Sequence, residues 1–224
     1  MDQLVSTVRA QLREQADSAL APGQQTYMKS AMPFLGVRVP QVRRLTLAAA
    51  RSHPPADVEA LERAARALWD EAQYREERYA ATALTGLPMA RGRLELMDLH
   101  EHMAVTGAWW DHVDDISHRI GATLAAHPEE TARIVRRWIA SDDLWLRRLS
   151  IICQLDRGAD TDRALLTEAV DAAASSDEFF LRKAIGWALR QHARVDPDWV
   201  RAFVGEREDA LSPLSQREAL KHLR

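Results

Sequence analysis

Residues 145–148 read Trp-Leu-Arg-Arg, and residues 180–183 read Phe-Leu-Arg-Lys. An aromatic ring, a leucine and two bases thus recur after 35 positions. The same ruler laid backward from Trp145 lands on Trp110, and laid forward from Arg182 it lands on Arg217. From Arg148 it returns through Val113 and Arg78 to Arg43. Helices starting near positions 40, 75, 110, 145, 180 and 215 account for this register, and Pro40 suits the first turn of the first of them. Each has room for a preceding partner, such as the stretch from Pro128 through Glu129 and Glu130 to Ile139. One helix pair per repeat of this length is the unit of a HEAT-like α-solenoid. The sequence therefore predicts an all-α fold of about six helical pairs with a concave basic groove, forming a single domain over residues 1–224.

The rest of the chain agrees with helices. Apolar residues recur at helical spacing, as in Val58, Leu61, Ala65, Leu68 and Trp69. Breakers separate such stretches at Pro22-Gly23, Pro54-Pro55, Gly86-Leu87-Pro88, Pro128, Gly158, Pro197 and Pro213, which leaves ten to thirteen short helices. Strand-like alternation of β-branched residues is hard to find.

Composition narrows the function class. Thirty Lys and Arg against 33 Asp and Glu give a net charge of −3, which excludes a histone-like polyelectrolyte but allows charge segregated on one face. With 46% apolar and 28% charged residues in 224, the chain has ample material for a core. Cys153 is the only cysteine, so no disulfide framework or zinc cluster is expected; following Ile151-Ile152, it reads as a small buried hydrophobe. No apolar run reaches the roughly 18 residues of a membrane span, and Met1 to Asp17 lacks an apolar signal core. A reduced, cytoplasmic, monomeric protein with no membrane partner and no cofactor is expected.

Positive charge is concentrated in acid-free intervals. Gln25 to Ser52 carries Lys29, Arg38, Arg43, Arg44 and Arg51; Leu181 to Val195 carries Arg182, Lys183, Arg190 and Arg194. Between them, Arg133, Arg136, Arg137, Arg147 and Arg148 outnumber Asp142 and Asp143. Arg43, Arg78, Arg148 and Lys183 share one register position, and in a solenoid such positions form a ladder. A basic ladder suits a phosphate backbone. Solvated helix faces or ion pairs between repeats are the competing reading.

The densest chemistry is Trp109-Trp110-Asp111-His112-Val113-Asp114-Asp115. Trp110 and Asp114, four apart, share a helix face. The register brings Arg148 to the same level, and Trp187 lies one turn into its own helix. Two indoles, a carboxylate and a guanidinium then meet; core tryptophans plus acids drawn to a helix N-terminus are the plainer alternative. No metal site is expected. The histidines of His100-Glu101-His102 point to different helix faces, and His112 with Asp115 lacks a third ligand. Neither a glycine-rich phosphate loop nor a Gly-x-Ser-x-Gly elbow occurs.

Four segments together resemble the AlkD-like DNA alkylation repair proteins, bacterial HEAT-like DNA glycosylases. They are Tyr27-Met28-Lys29 with Pro33-Phe34-Leu35-Gly36-Val37 and Pro40; Trp109-Trp110-Asp111 with Val113-Asp114; Trp145-Leu146-Arg147-Arg148; and Phe179-Phe180 through Arg182-Lys183 to Trp187-Ala188-Leu189. The resemblance implies removal of cationic alkylated purines, of the 7-methylguanine and 3-methyladenine class, from duplex DNA. By that similarity Asp114 is the catalytic carboxylate and Trp110 and Trp187 flank the damaged nucleotide. Arg148 is implied to grip the backbone, and Tyr27 is an aromatic of the same cleft. Lys29, Arg38, Arg43, Arg44, Arg147, Arg182, Lys183 and Arg190 complete the expected DNA-binding set, and the protein is expected at the nucleoid when on DNA. A non-catalytic relative that binds damaged or branched DNA, and a protein-binding scaffold, are the other functions this sequence allows.

Overall fold

The computed structural model describes residues 3–223, and among these all regular structure is helical. Thirteen α-helices follow in order: α1 Gln3–Glu14, α2 Ala21–Met28, α3 Val39–Ser52, α4 Val58–Asp70, α5 Arg75–Leu84, α6 Met97–Gly107, α7 Trp110–Ala126, α8 Pro128–Ile139, α9 Leu144–Ile152, α10 Arg163–Ala173, α11 Phe179–His192, α12 Pro197–Gly205 and α13 Pro213–Ala219. The starts of α3, α5, α7, α9, α11 and α13 lie within two residues of the 35-residue ruler. The chain divides into two compact units, one ending at Arg91 and the other starting at Gly92. No helix among the described residues is long and apolar enough to cross a membrane.

Helix starts follow from local chemistry. Asp57, Asp143, Asp162 and Asp196 cap α4, α9, α10 and α12, each accepting from a backbone N–H of the first turn at 2.7–3.0 Å. Proline occupies the first turn of α3, α8, α12 and α13, where no N–H is needed.

In the first unit, α3 packs on α1 and α5, and α5 also packs on α4. The apolar stripe of α4 buries Leu61, Ala65, Leu68 and Trp69 as the spacing predicts. Less expected is the start of α5, where Arg75, Glu76 and Glu77 are all buried. Glu77 pairs with Arg9 at 2.9 Å and Arg13 at 3.4 Å, tying α1 to α5. Glu76 does something different. Its carboxylate accepts from the backbone N–H groups of Leu35, Gly36 and Val37 at 2.9–3.1 Å. Burial pushes the Glu76 carboxyl up, and these three donors pull it back down. The segment they belong to is sealed, with Phe34, Leu35 and Val37 buried. Gly36 is required there: its φ is +92°, and a Cβ would stand 2.0 Å from the Asp17 carbonyl oxygen.

In the second unit the later helix of each pair packs on the next: α7 on α9, α9 on α11 and α11 on α13. Glycines set two of these approaches. A Cβ at Gly121 would stand 2.7 Å from the Cys153 carbonyl oxygen, and one at Gly186 would stand 2.4 Å from the Glu218 Cβ. Cys153 is buried as expected, and burial drives its thiol to about 12. His100 is sealed too, its ring held neutral by burial with a pKa of about 3. Glu101 beside it accepts from the Trp138 indole at 2.7 Å.

Glu76→Ala strands three backbone N–H groups in the interior, and a loss of about 3–5 kcal/mol is expected. Chemical denaturation of the two proteins, compared by midpoint at equal slope, measures it.

Candidate functional site

The site is built where α7, α9 and α11 begin, in the second unit. Asp114 lies in the second turn of α7, past the first-turn amides that attract acids. Helix polarity therefore does not account for it, although it suffices for Asp111. Asp115 pairs with Arg119 on its own helix at 3.6 Å. The partner of Asp114 is Arg148 on α9. Arg148 Nε donates to Asp114 Oδ1 at 2.8 Å, and Nη2 donates to Oδ2 at 2.9 Å. Nη1 donates to the Phe180 carbonyl on α11 at 2.6 Å. One guanidinium thus joins three successive repeats.

The pair is largely out of water, with side-chain exposures of 6% for Arg148 and 20% for Asp114. Burial raises the Asp114 carboxyl above the ordinary aspartate value; the Arg148 hydrogen bonds and charge act against that, and Asp111 adds to it. A two-point fork on a partly buried carboxylate fixes both its charge and its orientation.

The Arg148 guanidinium lies 5.9 Å from the Phe180 ring, one of a cluster of four. Trp145 and Phe180 are 5.0 Å apart, Trp109 stands 5.9 Å and 5.6 Å from them, and Phe179 is 5.5 Å from Phe180. Phe179 is 58% exposed, unusual for a phenylalanine with such neighbours. Trp110 and Trp187 stand outside the cluster: both are half-buried, and neither joins a ring pair among the described residues. Spacing and the resemblance single out Trp110; its neighbour Trp109 is the ring packed against Trp145 of α9 and Phe180 of α11.

The basic ladder is in register, but it largely points at the protein itself. The Arg78 guanidinium lies 4.9 Å over the Trp69 ring, and burial lowers its pKa. Arg148 is committed to Asp114, and Lys183 pairs with Glu218 at 3.1 Å. Arg190 also pairs with Glu218, Arg182 with Asp177, and Arg147 donates to the Ala172 carbonyl at 2.9 Å. Pairing between repeats, the competing reading of these charges, accounts for Arg148, Lys183 and Arg190.

The first unit carries a group of exposed cations. Lys29, Arg38, Arg43 and Arg44 are exposed, as is Tyr27 at 74%. Lys29 closes α2 in the left-handed conformation at φ 50°, its N–H bonded to the Thr26 carbonyl. The buried segment held by Glu76 lies between Lys29 and Arg38 in the chain.

Comparison with known proteins agrees with the architecture. Residues 8–223 match the model of the family described as DNA alkylation repair enzyme. A solved structure described as a predicted DNA alkylation repair enzyme from Enterococcus faecalis is 30% identical, with a TM-score of 0.81 over 93% of this chain and 97% of that one. No curated protein gives a significant match. The chain belongs to the DNA alkylation repair enzyme family.

Proposed function

We propose that this protein is a monofunctional glycosylase that hydrolyses the N-glycosidic bond of cationic alkylated purines in duplex DNA. The observation that carries the reading is the mostly buried Asp114 carboxylate, held by the two-point Arg148 fork and left 20% exposed on the helix face it shares with Trp110. Alkylation of a purine ring nitrogen makes the base a cation and hence a good leaving group. The remaining barrier is positive charge developing on the deoxyribose. An oriented carboxylate in low dielectric stabilises that charge without reorganisation. Indole faces at Trp110 and Trp187 add cation–π attraction of roughly 0.5–2 kcal/mol each. No cofactor enters this chemistry.

Arg148 serves first to hold Asp114. Duplex affinity comes chiefly from the exposed first-unit cations Lys29, Arg38 and Arg44, with Arg43 and Tyr27 contributing from the same unit; Arg147, Arg182, Lys183 and Arg190 bind backbone only by exchanging their internal partners. The substrate is duplex DNA carrying 7-methylguanine or 3-methyladenine.

The deciding experiment follows free 7-methylguanine released from a duplex under single turnover. Asp114→Asn is expected to slow release by about 100–10,000-fold with duplex binding retained. Full activity in the variant removes Asp114 from the mechanism; no release by the parent, with binding intact, makes the protein a non-catalytic binder.

The pH dependence has a definite sign. Because Asp114 acts ionised and burial raises its pKa, release falls, as pH is lowered, at a value above the ordinary aspartate range. Arg148→Met removes the hydrogen bonds and the charge that do most to lower this pKa and moves the acid limb further up. A pH–rate profile for both proteins tests the order. Separately, replacing Lys29, Arg38 or Arg44 by Ala is expected to weaken binding to every sequence and to reduce the slope of log K against log salt by about one per cation.

A further inference from the structure

A second link crosses from α9 to α7. His118 follows Asp114 by four residues, so Trp110, Asp114 and His118 fall in one row along α7. The carboxylate of Asp156, just beyond α9, accepts a hydrogen bond from His118 Nδ1. Both side chains meet solvent, at 40% exposure for His118 and 69% for Asp156. With the Nδ1 proton directed to Asp156, the neutral ring carries its free lone pair on Nε2. The two links have opposite sense: α9 supplies the base to Asp114 and, from its end, an acid to His118.

A proton on Asp114 comes only at the expense of its Arg148 fork. Both of its oxygens accept from the guanidinium, and protonating it leaves the Arg148 charge uncompensated in a site where that side chain is 6% exposed. His118 stands open to solvent, with Nδ1 on the Asp156 carboxylate and Nε2 on the opposite side of the ring.

We propose that His118 Nε2 is the proton acceptor for the attacking water, positioned by Asp156, while Asp114 serves as the fixed charge. This rests on the glycosylase reading above. In the step, the water oxygen bonds to the sugar anomeric carbon as the bond from that carbon to the base breaks. The electrons of that bond stay on the base and cancel its positive charge. The water proton passes to His118 Nε2, and the imidazolium, stabilised by Asp156, later returns it to solvent. Arrangements of this kind, in which a carboxylate orients a histidine by its other nitrogen, suit general-base work.

The test is single-turnover release of 7-methylguanine from a duplex by the parent, His118→Ala and Asp156→Asn. Release by His118→Ala should fall about 100-fold, with duplex affinity unchanged, and added imidazole should restore it in proportion to concentration. Asp156→Asn should lie between the two. Full release by His118→Ala overturns the proposal and leaves the glycosylase reading standing. A loss that imidazole does not restore, or that follows weakened duplex binding, also overturns it, in favour of a contact to the DNA backbone. No release by the parent overturns both.

Discussion

The second unit depends on one guanidinium. Arg148 stands on α9 and bonds both to α7, through Asp114, and to α11, through the Phe180 carbonyl. Few groups could do this. The contact needs donors aimed in two directions from one rigid plane, at a depth where an unpaired charge costs several kcal/mol. Lysine offers a point charge on a flexible stem and cannot hold a carboxylate at both oxygens. The Arg148 guanidinium also lies 5.9 Å from the Phe180 ring, which packs against Trp109 and Trp145. The same bond therefore spaces the repeats, orients the carboxylate and sets its charge.

The first unit solves a related problem with the opposite charge. Glu76 stands near the start of α5, where the 35-residue ruler places a repeat, yet its partners are backbone amides of an irregular segment. Such a segment has N–H groups that no helix satisfies, and burying it requires an acceptor from elsewhere. A carboxylate with several lone pairs meets three of them at once. A helix thus supplies the acceptor that a loop lacks, and the exposed Tyr27 and Lys29 precede that loop in the chain.

Periodicity carried the architecture because it is a property of many residues at once. Helix starts at Arg75 and Trp110 coincide with the ruler, and caps such as Asp143 were visible as residue types in sequence. The pairing of Asp114 with Arg148 was legible as two residues at one register level, although its burial and two-point geometry were not. What escaped were choices between neighbours and contacts with no periodic signal. Trp109 and Trp110 are identical in sequence terms, and only the turn before α7 decides which one packs inward. Asp156 lies 38 residues from His118 in an irregular stretch, where no spacing announces the contact. The burial of Glu76 and Glu77 at the start of α5 also has no periodic signal; it depends on Arg9, Arg13 and a loop some 40 residues away in sequence.

Lys29 offers a different lesson. Its left-handed backbone costs about 1–2 kcal/mol for a residue with a Cβ and nothing for glycine. A campaign selecting only for thermal tolerance would reach glycine at this position early and keep it. It would also discard one of the few open positive charges on the proposed DNA-facing surface. Robustness and affinity pull against each other at a single torsion angle, so any stabilised form of this protein is best screened on DNA as well as by melting.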